Sequence, residues 1–313
     1  MLISRAGSGE SVGTVETETE LITERAISAD RPLPEEQALD LLHRYFICPY
    51  CGNISRLFAV NEFYGEDGSV VGREYYLSCY DVEDLSSEEA RNGTLPFRKI
   101  HHRVSDLGEL EEVKITRTKP NAEVFLHVHN RDAEGRLIQR LIQRSDSLLP
   151  NFLGMLYSQM NSKYNSGGTS GSGPNTSNTN SAFIGTYATG NWVLIFATND
   201  SSGDASYGIQ VGTGTTANST STYALSAQIA NGTGSGQLSY GTHNYVWSTG
   251  STSTTAARSF SNSSGASVTV SEVGLVFGAN SNFIMARDVL SSPVTIANGG
   301  STTFQYTISI TVS

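Results

Sequence analysis

The end of this chain alternates strictly. Phe304, Tyr306, Ile308, Ile310 and Val312 share one parity, and Gln305, Thr307, Ser309 and Thr311 the other. Successive side chains of a strand point to opposite faces, so the segment reads as a half-buried strand, oily on one side and hydroxylated on the other. Asn298-Gly299-Gly300 supplies the turn before it. Tyr207, Ile209 and Val211 alternate in the same way, as do Tyr223, Leu225, Ala227 and Ile229, and Trp192–Phe196 is a continuous apolar run of the kind that forms a buried strand. One irregularity stands out: Val268 and Val270 share one parity, while Val273, Leu275 and Phe277 share the other. A period of two cannot skip a step without an extra residue, which predicts a β-bulge or bend near Ser271–Glu272. Short strands separated by turn signals predict an antiparallel sandwich of jelly-roll type over residues 182–313.

The remainder is organised differently. Every residue from Asn165 to Ser181 is Gly, Ser, Thr, Asn or Pro. As a flexible chain, such a segment spans about 23 Å root-mean-square, and it is read as the linker between two domains. Residues 1–33, rich in Gly, Ser, Thr and Glu without a sustained period, are read as an extended arm. Pro34-Glu35-Glu36 opens a helix in which Ala38, Leu39, Leu41, Leu42 and Tyr45 follow at helical spacing. Phe46 to Cys79 turns to β, with turns in 61–72 and a returning strand at Glu74–Leu77. Residues 81–110 are acidic and irregular. Strands are expected at Glu112–Thr118 and Glu123–His129, the latter entering a hairpin turn at Asp132–Gly135. A second helix, capped by Asp146 or Ser147, would carry Leu149, Phe152, Leu153, Leu156 and Met160 on one face. The expectation is an α+β attachment domain over 34–164, followed by an all-β domain.

Charge separates the halves. Residues 151–313 hold three basic side chains (Lys163, Arg258, Arg287) and four acidic ones (Asp200, Asp204, Glu272, Asp288), so of the chain's net charge of −10 this half carries −1 and residues 1–150 carry −9. No basic cluster exists for phosphate contact, which argues against a nucleic-acid partner. A nearly uncharged domain lacks the repulsion that keeps proteins apart, which suits a subunit of an assembly. No stretch approaches the roughly 20 apolar residues that cross a bilayer. Three cysteines are too few for a disulfide framework, and synthesis in a cytoplasm is the default expectation.

Several blocks of the C-terminal half occur in an order that resembles a β domain recurrent in structural proteins of tailed phages. They are Ile209–Ala217, Tyr223–Leu225, Gly236–Tyr240, Arg258–Asn262, Val270–Leu275, Ala286–Leu290 and Val294–Gly300. The turn Asp132–Gly135 and the segment Ser147–Leu156 resemble a preceding part of that family, so the likeness covers roughly residues 125–313. It implies a virion component without catalysis, such as a neck or tail appendage of fibre or baseplate type, or a capsid decoration. Its partners would be other virion proteins and further copies of itself. A receptor- or glycan-binding tip is a second expectation, for which Trp192, Trp247 and Tyr245 supply candidate stacking faces.

Chemistry-bearing motifs are few. Cys48-Pro-Tyr-Cys51-Gly52 places two thiolates where both can turn towards one metal ion, the glycine allowing the tight loop. Cys79, on the returning strand, is a third candidate, and a histidine must complete a tetrahedral zinc site. His43, His101, His102, His127 and His129 are available; with His102 the expected structural zinc set is Cys48, Cys51, Cys79 and His102. The motif resembles half of a zinc ribbon, whose second CxxC is missing. A glutaredoxin-like thiol redox site is the competing reading, but it requires a strand before the motif and a long helix after it. Gly212-Thr-Gly214-Thr-Thr-Ala217 spells a dinucleotide fingerprint without the helix that would make it one, and is expected to be a plain loop. Glu272 with Arg287 is expected to be a buried ion pair fixing strand register. His127 and His129, two apart on a strand, are expected on a solvated face.

Overall fold

A computed structural model describes residues 31–52, 54–80, 99–108, 110–113, 122–145, 172–174, 176–177, 180–182, 185–186, 192–193, 202–219, 221–246, 252–277 and 282–310. In chain order the elements are α1 (Glu35–Leu41), β1 (Tyr45–Ile47), β2 (Ile54–Tyr64), β3 (Val70–Tyr80), β4 (Lys99–Val104), β5 (Glu112–Val113), β6 (Ala122–Arg131), β7 (Leu137–Arg144), β8 (Ser172–Pro174), β9 (Asn180–Ala182), β10 (Gly185–Thr186), β11 (Trp192–Val193), β12 (Gly208–Gly212), β13 (Ser239–Val246), β14 (Ser253–Ser261), β15 (Val268–Phe277), β16 (Phe283–Ile296) and β17 (Ser301–Ile310). The protein is therefore mostly antiparallel β. The described residues before 165 hold one helix of seven residues, so they do not form the expected α+β domain. The second expected helix, the arm up to residue 30, and Trp247 lie outside the described residues.

Ten strands form one sheet in the order β13-β14-β17-β6-β7-β2-β1-β5, with β3 pairing on β2 and β4 on β3. The joint is β6 against β17, in unbroken register from Ser301 opposite Arg131 to Ile310 opposite Ala122. Strands from both sides of the 165–181 segment thus share a sheet. Within that segment, β8 pairs with β9 rather than both running as open linker. A three-stranded sheet, β12-β15-β16, covers one face of the large sheet, making a sandwich-like pair of layers. Their common core joins Leu126, Val128 and Leu141 to Phe260, Phe304 and Tyr306 and to Ile209, Val273, Met285 and Ile296. Each such side chain, withdrawn from water, contributes about 1.5–3 kcal/mol.

Polar side chains fasten the two layers. The Gln143 amide donates to Val289 O at 3.0 Å and accepts from Ser291 N at 2.8 Å; Asn130 donates to Thr295 O at 2.9 Å; Asn61 donates to the Ser292 hydroxyl at 3.1 Å. The contacts at Val289, Ser291 and Ser292 fall where the register of β16 against β15 breaks, and that at Thr295 lies just beyond, opposite Thr269. Between the pairs Val270–Val294 and Glu272–Val289, β15 has one residue and β16 has four. The bulge falls where the parity switch places it, with the extra length on the facing strand.

The opposite face of β6, β7 and β2 is covered by α1. Acidic Glu35 and Glu36 occupy its first turn, and Ala38 and Leu41 are buried. With Leu33, Leu42, Phe46, Leu57, Leu77, Phe125 and Ile142 they make a second core. The helix stops earlier than its apolar spacing suggests. His43 N and Arg44 N bond back three residues, to Asp40 O and Leu41 O, and Tyr45 enters β1 opposite Arg56 and Val113. The Leu42 carbonyl accepts from Arg56 Nε at 3.1 Å and Arg144 Nε at 3.0 Å. Among the described residues, no helix is long and apolar enough to cross a membrane.

Candidate metal centre

The turn after β1 brings the CxxC cysteines together. Gly52 N donates to Cys48 O at 2.8 Å, and Gly52 has φ +69°, a left-handed conformation that glycine adopts without strain. The turn is pressed against β4: the Tyr50 hydroxyl donates to Arg103 O at 3.1 Å, and its ring stacks on His102 with centroids 4.9 Å apart and planes 15° apart. His102 sits opposite Leu77 of β3. The donor atoms of Cys48, Cys51 and His102 lie within 4.8 Å of one another. Cys48 is fully buried, His102 half-buried and Cys51 exposed. Two thiols and an imidazole at this spacing can hold a metal ion, and the donor set favours a borderline or soft divalent ion over magnesium or calcium.

The structure also sorts the expected ligands. His102 joins the two cysteines. Cys79 pairs with Ile100 across β3 and β4, and its side chain, like that of His101, is outside the described residues. His43 is engaged elsewhere: Arg56 and Arg144 both reach its Nδ1, at 3.3 and 3.1 Å, and its Nε2 lies 3.3 Å from Glu123. Two guanidinium donors on Nδ1 make that nitrogen the acceptor, so the ring proton sits on Nε2 facing the carboxylate. His127 is not on a solvated face. It is 2% exposed beneath α1, with Nδ1 3.6 Å from Glu35. Burial pushes its pKa down to about 4, against the opposing pull of Glu35 and with the help of His129 and Arg140. The helix that the redox alternative requires after the motif is not there: β1 precedes the motif and β2, a strand, follows it, and among the described residues no helix N-terminus lies on the thiols.

The 212–217 motif cradles an anion, but one belonging to the chain itself. The Glu272 carboxylate accepts from Gly214 N at 3.1 Å, Ser226 N at 3.0 Å and Ala227 N at 2.8 Å, and from Arg287 Nε at 2.6 Å. A Cβ at Gly214 would lie 2.5 Å from Glu272 Oε1, and one at Gly212 would collide with the same atom. The glycines leave room for the carboxylate. Arg287 extends the tie to Thr216 O at 2.8 Å, Asn218 Oδ1 at 2.6 Å and the Ser226 hydroxyl at 2.8 Å. The alternating stretch 223–229 forms no strand for the same reason. Ser226 and Ala227 spend their N–H groups on Glu272, and the bridge Gly212–Gln228 with the bonds from Ile229 N to Val211 O and from Thr213 N to Ala227 O attaches the segment to β12 and the residue after it. Asp288, the next acid along, accepts from the Ser145 hydroxyl and the Tyr306 hydroxyl, both at 2.8 Å.

One cluster carried no motif in the sequence. Glu62, 1% exposed, meets Arg73 at 2.7 Å and Arg140 at 2.5 Å, and accepts from Tyr64 and from Leu33 N. Burial raises its pKa, but Arg140, Leu33 N, Arg73 and Tyr64 outweigh burial and hold it below the usual carboxylate value. Arg73 and Arg140 also donate to Arg31 O and Leu33 O, fixing the chain just before α1. The available signal was a lone acid at Glu62 on an apolar strand, with arginines on the two neighbouring strands.

Comparison of the chain with protein-family models, with curated proteins and with solved structures found no match.

Proposed function

We propose that this chain is a non-enzymatic structural component of a tailed-phage virion, a neck or tail appendage of fibre or baseplate type, made in the host cytoplasm and assembled with copies of itself and with head, neck or tail proteins. The observation that carries this reading is where the C-terminal charges go. Arg258, Glu272, Arg287 and Asp288 are each at most 2% exposed, and the partners described for them are internal. Hydroxyls stand outside: Ser259 pairs with Thr303 and Thr269 with Thr295, each at 3.0 Å across neighbouring strands, and among the described charges of this half Asp204 alone is part-exposed. A surface so poor in charge repels an identical surface little, and an exposed strand edge can pair with that of another copy. The large sheet supports the same reading, because it ties both ends of the described chain into one stiff unit.

The Cys48, Cys51 and His102 group fits a structural zinc in this picture, with Cys79 as the proposed fourth ligand, clamping the β1–β2 turn to β4. Light scattering on the purified chain, with mass spectrometry of purified particles, tests the proposal. A defined homo-oligomer and peptides of this chain in the particles support it. A monomer absent from particles defeats it. A glycan-binding tip is a second reading, favoured by Tyr245, which is 40% exposed and stands 4.4 Å from the ring of His243; a glycan array decides it. A capsid decoration differs only in where on the particle the chain is found.

A further inference from the structure

We propose that the Cys48–Cys51 pair is an oxidation-sensitive clasp: a peroxide converts it to a disulfide, the metal ion leaves, and β4 loses its metal-mediated tie to the β1–β2 turn. This rests on the metal reading above. The two thiols are held side by side by one backbone turn, closed by the bond from Gly52 N to Cys48 O, and their sulfurs lie within 4.8 Å. They differ sharply in access, since Cys51 is exposed and Cys48 is wholly enclosed by the second core. That asymmetry fixes the order of events. An oxidant in solution reaches only Cys51, and Cys48 is the thiolate that resolves the product.

The chemistry balances with a peroxide as the only co-reactant. The Cys51 thiolate attacks one oxygen of hydrogen peroxide, the O–O bond breaks, and a sulfenic acid and hydroxide form. The Cys48 thiolate then attacks the Cys51 sulfur, the S–O bond breaks, and a second hydroxide leaves as the S–S bond forms. Two protons from solvent turn both hydroxides into water. Two electrons pass from the sulfurs to the peroxide, and a disulfide no longer offers thiolate donors, so the divalent ion departs with its charge unchanged.

The consequence is local. Among the named strands β4 pairs only with β3, at the end of a branch of the large sheet. Its other ties to the turn are the Tyr50 stack on His102 and the bond from the Tyr50 hydroxyl to Arg103 O, which is exposed. With the ion gone, these weak contacts and the packing of Val104 on the second core are what the described residues offer to hold that side of Lys99–Val104. A particle assembled in a reducing cytoplasm and released to an oxidising exterior would pass through this change.

The test uses the full chain loaded with zinc. After one equivalent of hydrogen peroxide, a chromophoric chelator should report one zinc released per chain, with two thiols lost. Peptide mapping should show a Cys48–Cys51 disulfide, hydrogen exchange should quicken in 99–104, and a phosphine reductant with added zinc should reverse all three. Cys51→His keeps the number of donors but removes the exposed thiol that the peroxide attacks, and should keep its zinc under the same treatment. Zinc and thiols left in place in the wild type, or zinc lost from Cys51→His at the wild-type rate, overturns the proposal. Should the variant fail to fold, disulfide mapping of the wild type decides alone. A chain that takes up no zinc before any oxidant is added overturns the metal reading itself, and this proposal with it.

Discussion

Replacing Arg287 with leucine should cost about 3–5 kcal/mol, because it strands the carboxylate of Glu272 inside the protein. Both side chains are at most 1% exposed, and their contact is 2.6 Å. The substitution removes that charge-assisted bond along with the donors to Thr216 O, Asn218 Oδ1 and the Ser226 hydroxyl. Three main-chain N–H groups would still face Glu272, so its negative charge would be solvated only in part. Against a typical total stability of about 5–15 kcal/mol, this is a large loss, and equilibrium urea unfolding should show the midpoint fall by about 1–3 M at unchanged slope. The double variant E272L/R287L sharpens the test. Replacing a buried pair with apolar side chains is often neutral, but here it also orphans the N–H groups of Gly214, Ser226 and Ala227. Each orphaned group costs about 1–3 kcal/mol, so the double variant should stay at least about 2 kcal/mol below wild type. A single variant within about 1 kcal/mol of wild type, or a double variant that recovers full stability, would refute the idea that this carboxylate organises the 213–227 loop.

Gly214→Ala should be destabilising by about 2–4 kcal/mol in the same assay, since the new methyl meets Glu272 at 2.5 Å; a neutral outcome would mean that the loop is not packed on the carboxylate. His127, facing Glu35, His129 and Arg140, should titrate near pH 4 by NMR. In the unfolded chain it takes up its proton near pH 6.5, so the unfolded state binds the proton first. Stability is then complete above about pH 6.5 and is lost as pH falls towards 4, by roughly 3 kcal/mol in all. A titration near 6.5 would contradict its burial under α1. Gln143→Leu should cost about 2 kcal/mol or more by leaving Val289 O and Ser291 N without their amide partner; an unchanged unfolding midpoint would show that these bonds do not fasten the two sheets.

Local features were legible and distant pairings were not. The parity switch located the bulge because periodicity is a property of the strand itself. The isolation of Glu272 and Arg287 in an uncharged domain pointed to their pairing, and CxxC spacing pointed to two sulfurs turned towards one site. The pairing of β6 with β17 was hidden, since either strand's alternation is equally satisfied by many partners, and the Gly/Ser stretch between them read as a boundary. His127 read as solvated because nothing in strand spacing reveals that α1 lies over it. Tyr45 fitted a helical stripe, yet long-range pairing with β2 and β5 drew it into a strand. The segment 223–229 had the period of a strand, but the carboxylate of Glu272 competed for its backbone N–H groups.

A virion component of the kind proposed must be built into the virus particle. Antibody labelling of particles purified from cells that make it, viewed by electron microscopy, asks this directly. Label at fixed, symmetry-related positions on the neck or tail is the predicted result. Particles that remain bare while the chain stays behind in the soluble fraction would contradict it.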